Sequence, residues 1–182
     1  STWAAKYPGA LGNAISVDVC SAGTGFTGWT YEKLFSAAPG TSTFATGLGI
    51  TSDEVHVVVT DASGAISGTA GTVLEIYSNL SQLADAKKTN GSNNYYKDVV
   101  NTQSEWVRWT GHSAVDLTQA GALSTVVTGA MDTHTAVIST VLSGGVDDNA
   151  LTDGELNTAY QLFSNKESVD VDLIIGGSVS TA

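Results

Sequence analysis

Ser52 to Leu80 reads SDEVHVVVTDASGAISGTAGTVLEIYSNL, and this stretch decides the fold. Val55, Val57 and Val59 alternate with His56, Val58 and Thr60, the period of a strand with at least one buried face. Asp61-Ala-Ser-Gly64 is a polar, glycine-bearing turn, and Gly68 with Gly71 frames a second bend. Thr72–Tyr77 (TVLEIY) is a second β-branched and aromatic run opposed to the first. The expected order is strand, turn, a short ladder piece over Ala65–Ser67, turn, strand. Turn chemistry this dense lets the segment set its own register while the rest packs around it. It carries no obvious chemistry.

Upstream, Tyr7-Pro-Gly9 and Gly12-Asn13 are turn signals, and Ala14–Cys20 (AISVDVC) alternates as a half-buried strand. Cys20 falls on its polar-facing register or at its end, and no neighbour in sequence activates the thiol, so it reads as structural. Gly23-Thr-Gly25-Phe-Thr-Gly28 matches the dinucleotide-binding pattern. That pattern needs a helix to open inside it, with its amides aimed at a pyrophosphate. Here Trp29-Thr-Tyr31 follows instead, the nearest helical candidate (Tyr31–Ala38) stops at Pro39-Gly40, and Phe26 puts bulk where a ligand would approach. The segment is expected to be a loop between strands. Thr41–Gly49 reads as a connection into the hairpin.

Downstream, Ser81–Asn93 is polar and turns at Asn90-Gly91. Tyr95–Asn101 predicts two helical turns capped by Asn93 or Asn94. Glu105–Trp109 alternates large apolar with charged side chains, a strand facing the core through Trp106 or anchoring through Trp109. Ala114–Val127 has weak helical spacing broken by Gly121, and Thr135–Leu142 (TAVISTVL) predicts a strand. Gly111-His-Ser113-Ala-Val115 lacks the second glycine of a nucleophile elbow, so Ser113 reads as a loop serine. Asp147-Asp148-Asn149 and Asp153-Gly-Glu155 invite calcium, but Leu151 occupies the fifth position of the loop register. Capping explains them better. Thr152 or Asp153 caps a helix from about Gly154 to Phe163, with Glu155 in its first turn and Leu156, Ala159, Tyr160 and Phe163 on one apolar face. Val169–Gly177 (VDVDLIIGG) resembles a central α/β strand, and its lack of a following helix is the mark of a longer protein. His56, His112 and His134 fit no zinc spacing. No catalytic, cofactor-binding or metal residues are assigned.

The 182 residues carry seven Lys plus Arg against eighteen Asp plus Glu, a formal net charge of −11. Nucleic acids and anionic membranes call for clustered positive charge, so neither is an expected partner. A lone Cys20 forms no internal disulfide. No signal peptide is visible, and no window approaches the roughly 18 apolar residues of a membrane span.

Several segments together resemble the tail sheath proteins of contractile bacteriophages, particularly the T-even-like and cyanophage branch. They are Ala5–Val17 (AKYPGALGNAISV), Ala37–Ser42 (AAPGTS), Asp53–Asp61 with Ile66–Glu75, Asp85–Lys87, Gly91–Val100 (GSNNYYKDVV) and Asp147–Gly177. Their order and spacing carry the likeness, which weakens over Gly111–Gly145. The resemblance implies a structural protein, not an enzyme, with no cofactor. Subunits of such sheaths form hexameric rings stacked helically around a tail tube, with baseplate and tail terminator as further partners. They are assembled in the host cytoplasm, reside in the virion, and contract to drive the tube through the host envelope for genome delivery. An internal fragment lacking both termini is implied, with residues 1–145 in β-rich outer parts and 146–182 leading into an incomplete α/β inner domain. The fold class expected is therefore α+β: antiparallel hairpins and few short helices, running into the first strand of an α/β sheet. The competing readings are a bacterial contractile injection system sheath, a carbohydrate-binding adhesin β-domain resting on Trp29, Trp106, Trp109 and the Tyr-rich turns, and a hydrolase built on Ser113 or the acidic cluster.

Overall fold

A computed structural model describes residues 3–21, 25–110, 137–148 and 150–165. The chain forms two compact units, Ser1–Val146 and Asp147–Ala182. Among the described residues the first carries six strands: β1 (Trp3–Ala5), β2 (Ile15–Ser21), β3 (Glu54–Asp61), β4 (Thr72–Ser81), β5 (Val107–Trp109) and β6 (Ile138–Val141). The α-helices of the described residues are α1 (Thr43–Gly47) and α2 (Tyr96–Gln103) in the first unit and α3 (Asp153–Gln161) in the second. The architecture is β-rich α+β. Among the described residues no helix is long and apolar enough to cross a membrane.

The hairpin of β3 and β4 is antiparallel, and β2 and β6 extend it into a four-stranded sheet of order β4-β3-β2-β6. The turn between β3 and β4 contains no ladder piece over Ala65–Ser67. It wraps around the buried Asp61 carboxylate, which accepts from Gly64 N–H (2.7 Å), Ile66 N–H (3.0 Å), Ser67 N–H (2.7 Å) and Ser67 Oγ–H (2.8 Å). One carboxylate thus takes the amides a ladder would have used. Gly64 sits at φ 84°, and a Cβ there would meet Ala70 N at 2.8 Å, so both backbone angle and space demand glycine.

The β3–β4 register slips twice. Between Val55↔Leu80 and Val57↔Tyr77 the β4 strand carries an extra residue, and Asn79 sits there at φ 51°. Its bonds leave the ladder. Asn79 N–H donates to His56 Nδ1 (3.0 Å), its Nδ2 donates to Glu54 (2.9 Å), and its carbonyl accepts from Asn94 Nδ2 (3.0 Å).

The strand expected to be half-buried is covered on both faces, since every residue from Ile15 to Ser21 is buried. On one face Ile15, Val17 and Val19 join Val55, Val57, Val59, Tyr77 and Leu80 against Tyr96, Val99 and Val100 of α2. The β1–β5 ribbon closes this core, Trp3 pairing with Trp109. Trp109 lies edge-on to Trp3 (5.0 Å between ring centres) and to Tyr96 (5.1 Å). On the other face Cys20 and Val58 pack under Phe26 and Trp29, with Tyr31, Phe35, Val73 and Val137 at the margin. The loop from Gly25 through Ala38 is thus an aromatic cover with a short 3-10 turn over Glu32–Leu34.

Other expectations shift in detail. Thr41–Gly49 holds α1, which Ser42 caps by accepting from Ala45 N–H (3.1 Å). Helix α2 begins after Tyr95 with no side-chain cap, because Asn93 Oδ1 bonds Tyr95 N–H outside the helix. Thr135–Leu142 yields the four-residue β6. Ala114–Val127 and Val169–Gly177, with the α/β strand expected there, lie outside the described residues.

Candidate functional site

The side chains able to do chemistry gather on the aromatic-covered face of the sheet. Cys20 and His56 are direct cross-strand partners of β2 and β3, a juxtaposition that sequence spacing did not reveal. A thiol beside an imidazole suggests a nucleophile and its base. The hydrogen bonds say otherwise. A backbone amide can only donate, so Asn79 N–H on Nδ1 leaves the proton on Nε2, which donates to the Ala37 carbonyl at 2.9 Å. Both ring nitrogens are engaged, and the ring stacks on Phe35 (4.1 Å, 3° between planes) with Phe26 edge-on at 5.8 Å. Burial holds the His56 pKa below its ordinary value, outweighing the bond to Ala37. Burial also pushes the Cys20 thiol up to about 11. A thiol so raised, beside an imidazole without a spare lone pair, is a packing residue. Its structural reading stands.

Asp18 lies on the same face of β2, and burial raises its carboxyl despite bonds from Ser139, Ser16 and Tyr31. Its neighbours are hydroxyls, and Ser16 Oγ–H donates to it at 3.2 Å. Tyr31, reaching down from the aromatic cover, bonds both Asp18 and Thr60.

Three further carboxylates fasten elements together. Fully buried Asp53 accepts from Ser42 N–H (2.7 Å), Ser42 Oγ–H (2.8 Å) and Ser81 Oγ–H, tying α1 to β3 and β4. Glu75 accepts from Tyr77 Oη–H (3.0 Å), Ser104 Oγ–H (2.7 Å) and Glu105 N–H (2.6 Å), tying β4 to the end of α2. For Asp61, burial alone would raise the carboxyl, yet bonds from Ser67, Gly64 and Ile66 hold it below its ordinary value. Each is used up by donors from within the fold.

In the second unit, Thr152 and Glu155 form the capping box of α3. Thr152 Oγ1 accepts from Glu155 N–H (3.3 Å), and Glu155 accepts from Thr152 N–H (2.9 Å). Of the acidic run, Glu155 thus serves the helix start, while Asp148 accepts from Ala150 N–H ahead of it at 3.1 Å. Of the apolar face expected on this helix, Leu156 is half-buried, and Tyr160 and Phe163 are exposed.

Trp3, Trp29 and Trp109 are buried and Trp106 half-buried, so the aromatic platform a glycan would stack on is not presented. Ser113, His112, His134, Gly23 and Asn149 lie outside the described residues.

No protein-family profile matches the chain. A stretch of 75 residues, 41% of the chain, is 40% identical to the tail sheath protein of Salmonella phage ViI. The match spans about 10% of that protein's length. The chain is thus related, over that stretch, to a phage tail sheath protein.

Proposed function

We propose that this chain is part of a contractile phage tail sheath subunit of the T-even-like and cyanophage branch, and an internal fragment of it. Its subunits stack as hexameric rings around a tail tube, engage baseplate and tail terminator, and contract to drive genome delivery through the host envelope. Residues 1–145 belong to the outer part, and 146–182 lead toward the inner α/β domain. The assembled sheath resides in the virion and is built in the host cytoplasm. The observation that carries this reading is the 40% identity over 75 residues to a sheath protein.

The geometry supports it. A sheath needs stiff bodies that keep their internal packing while their mutual contacts change. Here Asp53, His56, Asp61 and Glu75 are engaged as internal fasteners. Negative-stain microscopy of the full-length protein is the test. Striated tubes or stacked rings are expected; monodisperse monomers under every assembly condition would sink the reading.

A further inference from the structure

Charge is spread unevenly along the chain. Up to Arg108, six lysines and arginines face nine carboxylates; from Trp109 onward Lys166 stands alone against nine. Asp18, Asp53 and Asp61 in the first part are buried, which brings its surface nearer to balance. The later part includes Asp147, Asp148, Asp153 and Glu155 within nine residues, a span without a lysine or arginine.

The first part has one basic pair, Lys87-Lys88, and the fold holds it rigidly. Lys88 N–H donates to the Ser92 carbonyl (2.9 Å), Gly91 N–H to the Lys88 carbonyl (2.8 Å), and Asn94 N–H to the Ala86 carbonyl (2.9 Å). The small turn at Asn90-Gly91 thereby places both lysines on a polar cleft of about 350 Å³. Thr43, Glu54, Asn79 and Thr89 also line it. Glu54 is the acidic member, and Oε2 of its carboxylate already accepts from Gly40 N–H and Asn79 Nδ2, both at 2.9 Å. Both lysines are exposed, and neither forms an ion pair with a carboxylate among the described residues. Two ammonium groups with threonine hydroxyls beside them suit a pair of carboxylates.

We propose that this lysine cleft receives the acidic Asp147–Glu155 segment of a second copy of the chain. The inference rests on the self-associating reading above. A contact between two different patches is heterologous, so it repeats from copy to copy and builds a ring or an open stack. It also shows how a strongly acidic chain associates with itself: the poorer-charged part of one copy meets the richer-charged part of the next. Contacts of this kind act mainly on association rate and salt dependence.

The test is sedimentation velocity of the full-length protein at low and high salt. Wild type is expected to associate more strongly at low salt. The reversal K87E/K88E should weaken association about tenfold, and D147K/D148K should do the same. Mixing the two reversed proteins should restore association between them. The neutral variant K87Q/K88Q, with its melting curve compared to wild type, separates lost contact from lost folding. Wild type that never associates would overturn the sheath reading and this inference together. Wild type that assembles while either reversal leaves its salt dependence unchanged would overturn the inference alone. So would a mixture of the two reversed proteins that fails to associate.

Discussion

The two faces of the four-stranded sheet are both buried at its central strands, β2 and β3, yet by different means. One is paved with Ile15, Val17, Val19, Val55, Val57 and Val59 and covered by α2 and the tryptophan ribbon. The other carries Ser16, Asp18, Cys20, His56 and Thr60 and is covered by a loop of aromatic side chains. The apolar face gains by removing hydrocarbon from water and needs no direction. The polar face keeps each buried polar group in a specific bond, so its cohesion is directional and sensitive to protons. The difference teaches that alternation in a strand does not by itself mean one wet side.

The comparison can be broken first at the apolar face. Trp109→Ala should cost about 3–5 kcal/mol in urea unfolding, the usual range for deleting a large buried aromatic side chain. A loss under about 1 kcal/mol would mean that the ribbon does not close the core. Next comes the polar face. His56→Phe keeps a ring in the stack but strands the Asn79 amide and the Ala37 carbonyl, for an expected cost of about 1–3 kcal/mol. The same substitution should loosen the aromatic cover, so Cys20 should react faster with a thiol reagent in native buffer; an unchanged rate would show that His56 does not hold it.

Protons give the sharper comparison. The folded pKa of His56 is lowered, so at pH above its ordinary value of about 6.5 both states are neutral and stability is complete. As pH falls below that value the unfolded chain takes the proton first, and stability is lost until the folded pKa is passed. Asp18 runs the opposite way. Its folded carboxyl is raised, so on acidification toward the ordinary value the folded state takes the proton first and stability is gained. Urea midpoints measured against pH should therefore drop with a histidine-linked slope that His56→Phe removes. The smallest effect should be that of Asp18→Asn, a slight gain at neutral pH that fades as Asp18 would itself protonate. A loss at neutral pH would show that ionised Asp18 is needed.

What the residues disclosed in advance was local. The hairpin was legible because its alternation and the glycines at 64, 68 and 71, all at positive φ, act within a few residues. A helix cap at Thr152 or Asp153 was legible for the same reason, and the structure puts it on Thr152. What was hidden is nonlocal. Ser16 and Asp18 look like a solvent face until Trp29, Tyr31 and Phe35 come to cover them. His56 beside Cys20 depends on strand register, and its bond to Asn79 depends on a bulge that no composition announces. The five-residue α1 is too short to show a period and owes its position to Asp53. Thr43 and Glu54 reach the lysine cleft only through the fold.

One small contact ties the chain just after β6 to the turn just before β2. The Asn13 side-chain amide grips the Gly145 backbone twice, Nδ2 donating to its carbonyl and Oδ1 accepting its N–H, both at 2.8 Å. A Cβ at position 145 would lie 2.1 Å from the Gly9 carbonyl oxygen, so only glycine can sit in this clasp. With β5 pinned to β1 and β6 to β2, the clasp is a further tie between the early and late parts of the first unit. The Asn13–Gly145 bonds span a sequence separation of 132 residues, and the chain entropy of closing so long a loop is lost before they form. Folding of this unit is therefore expected to be slow, because its closing contacts are nonlocal.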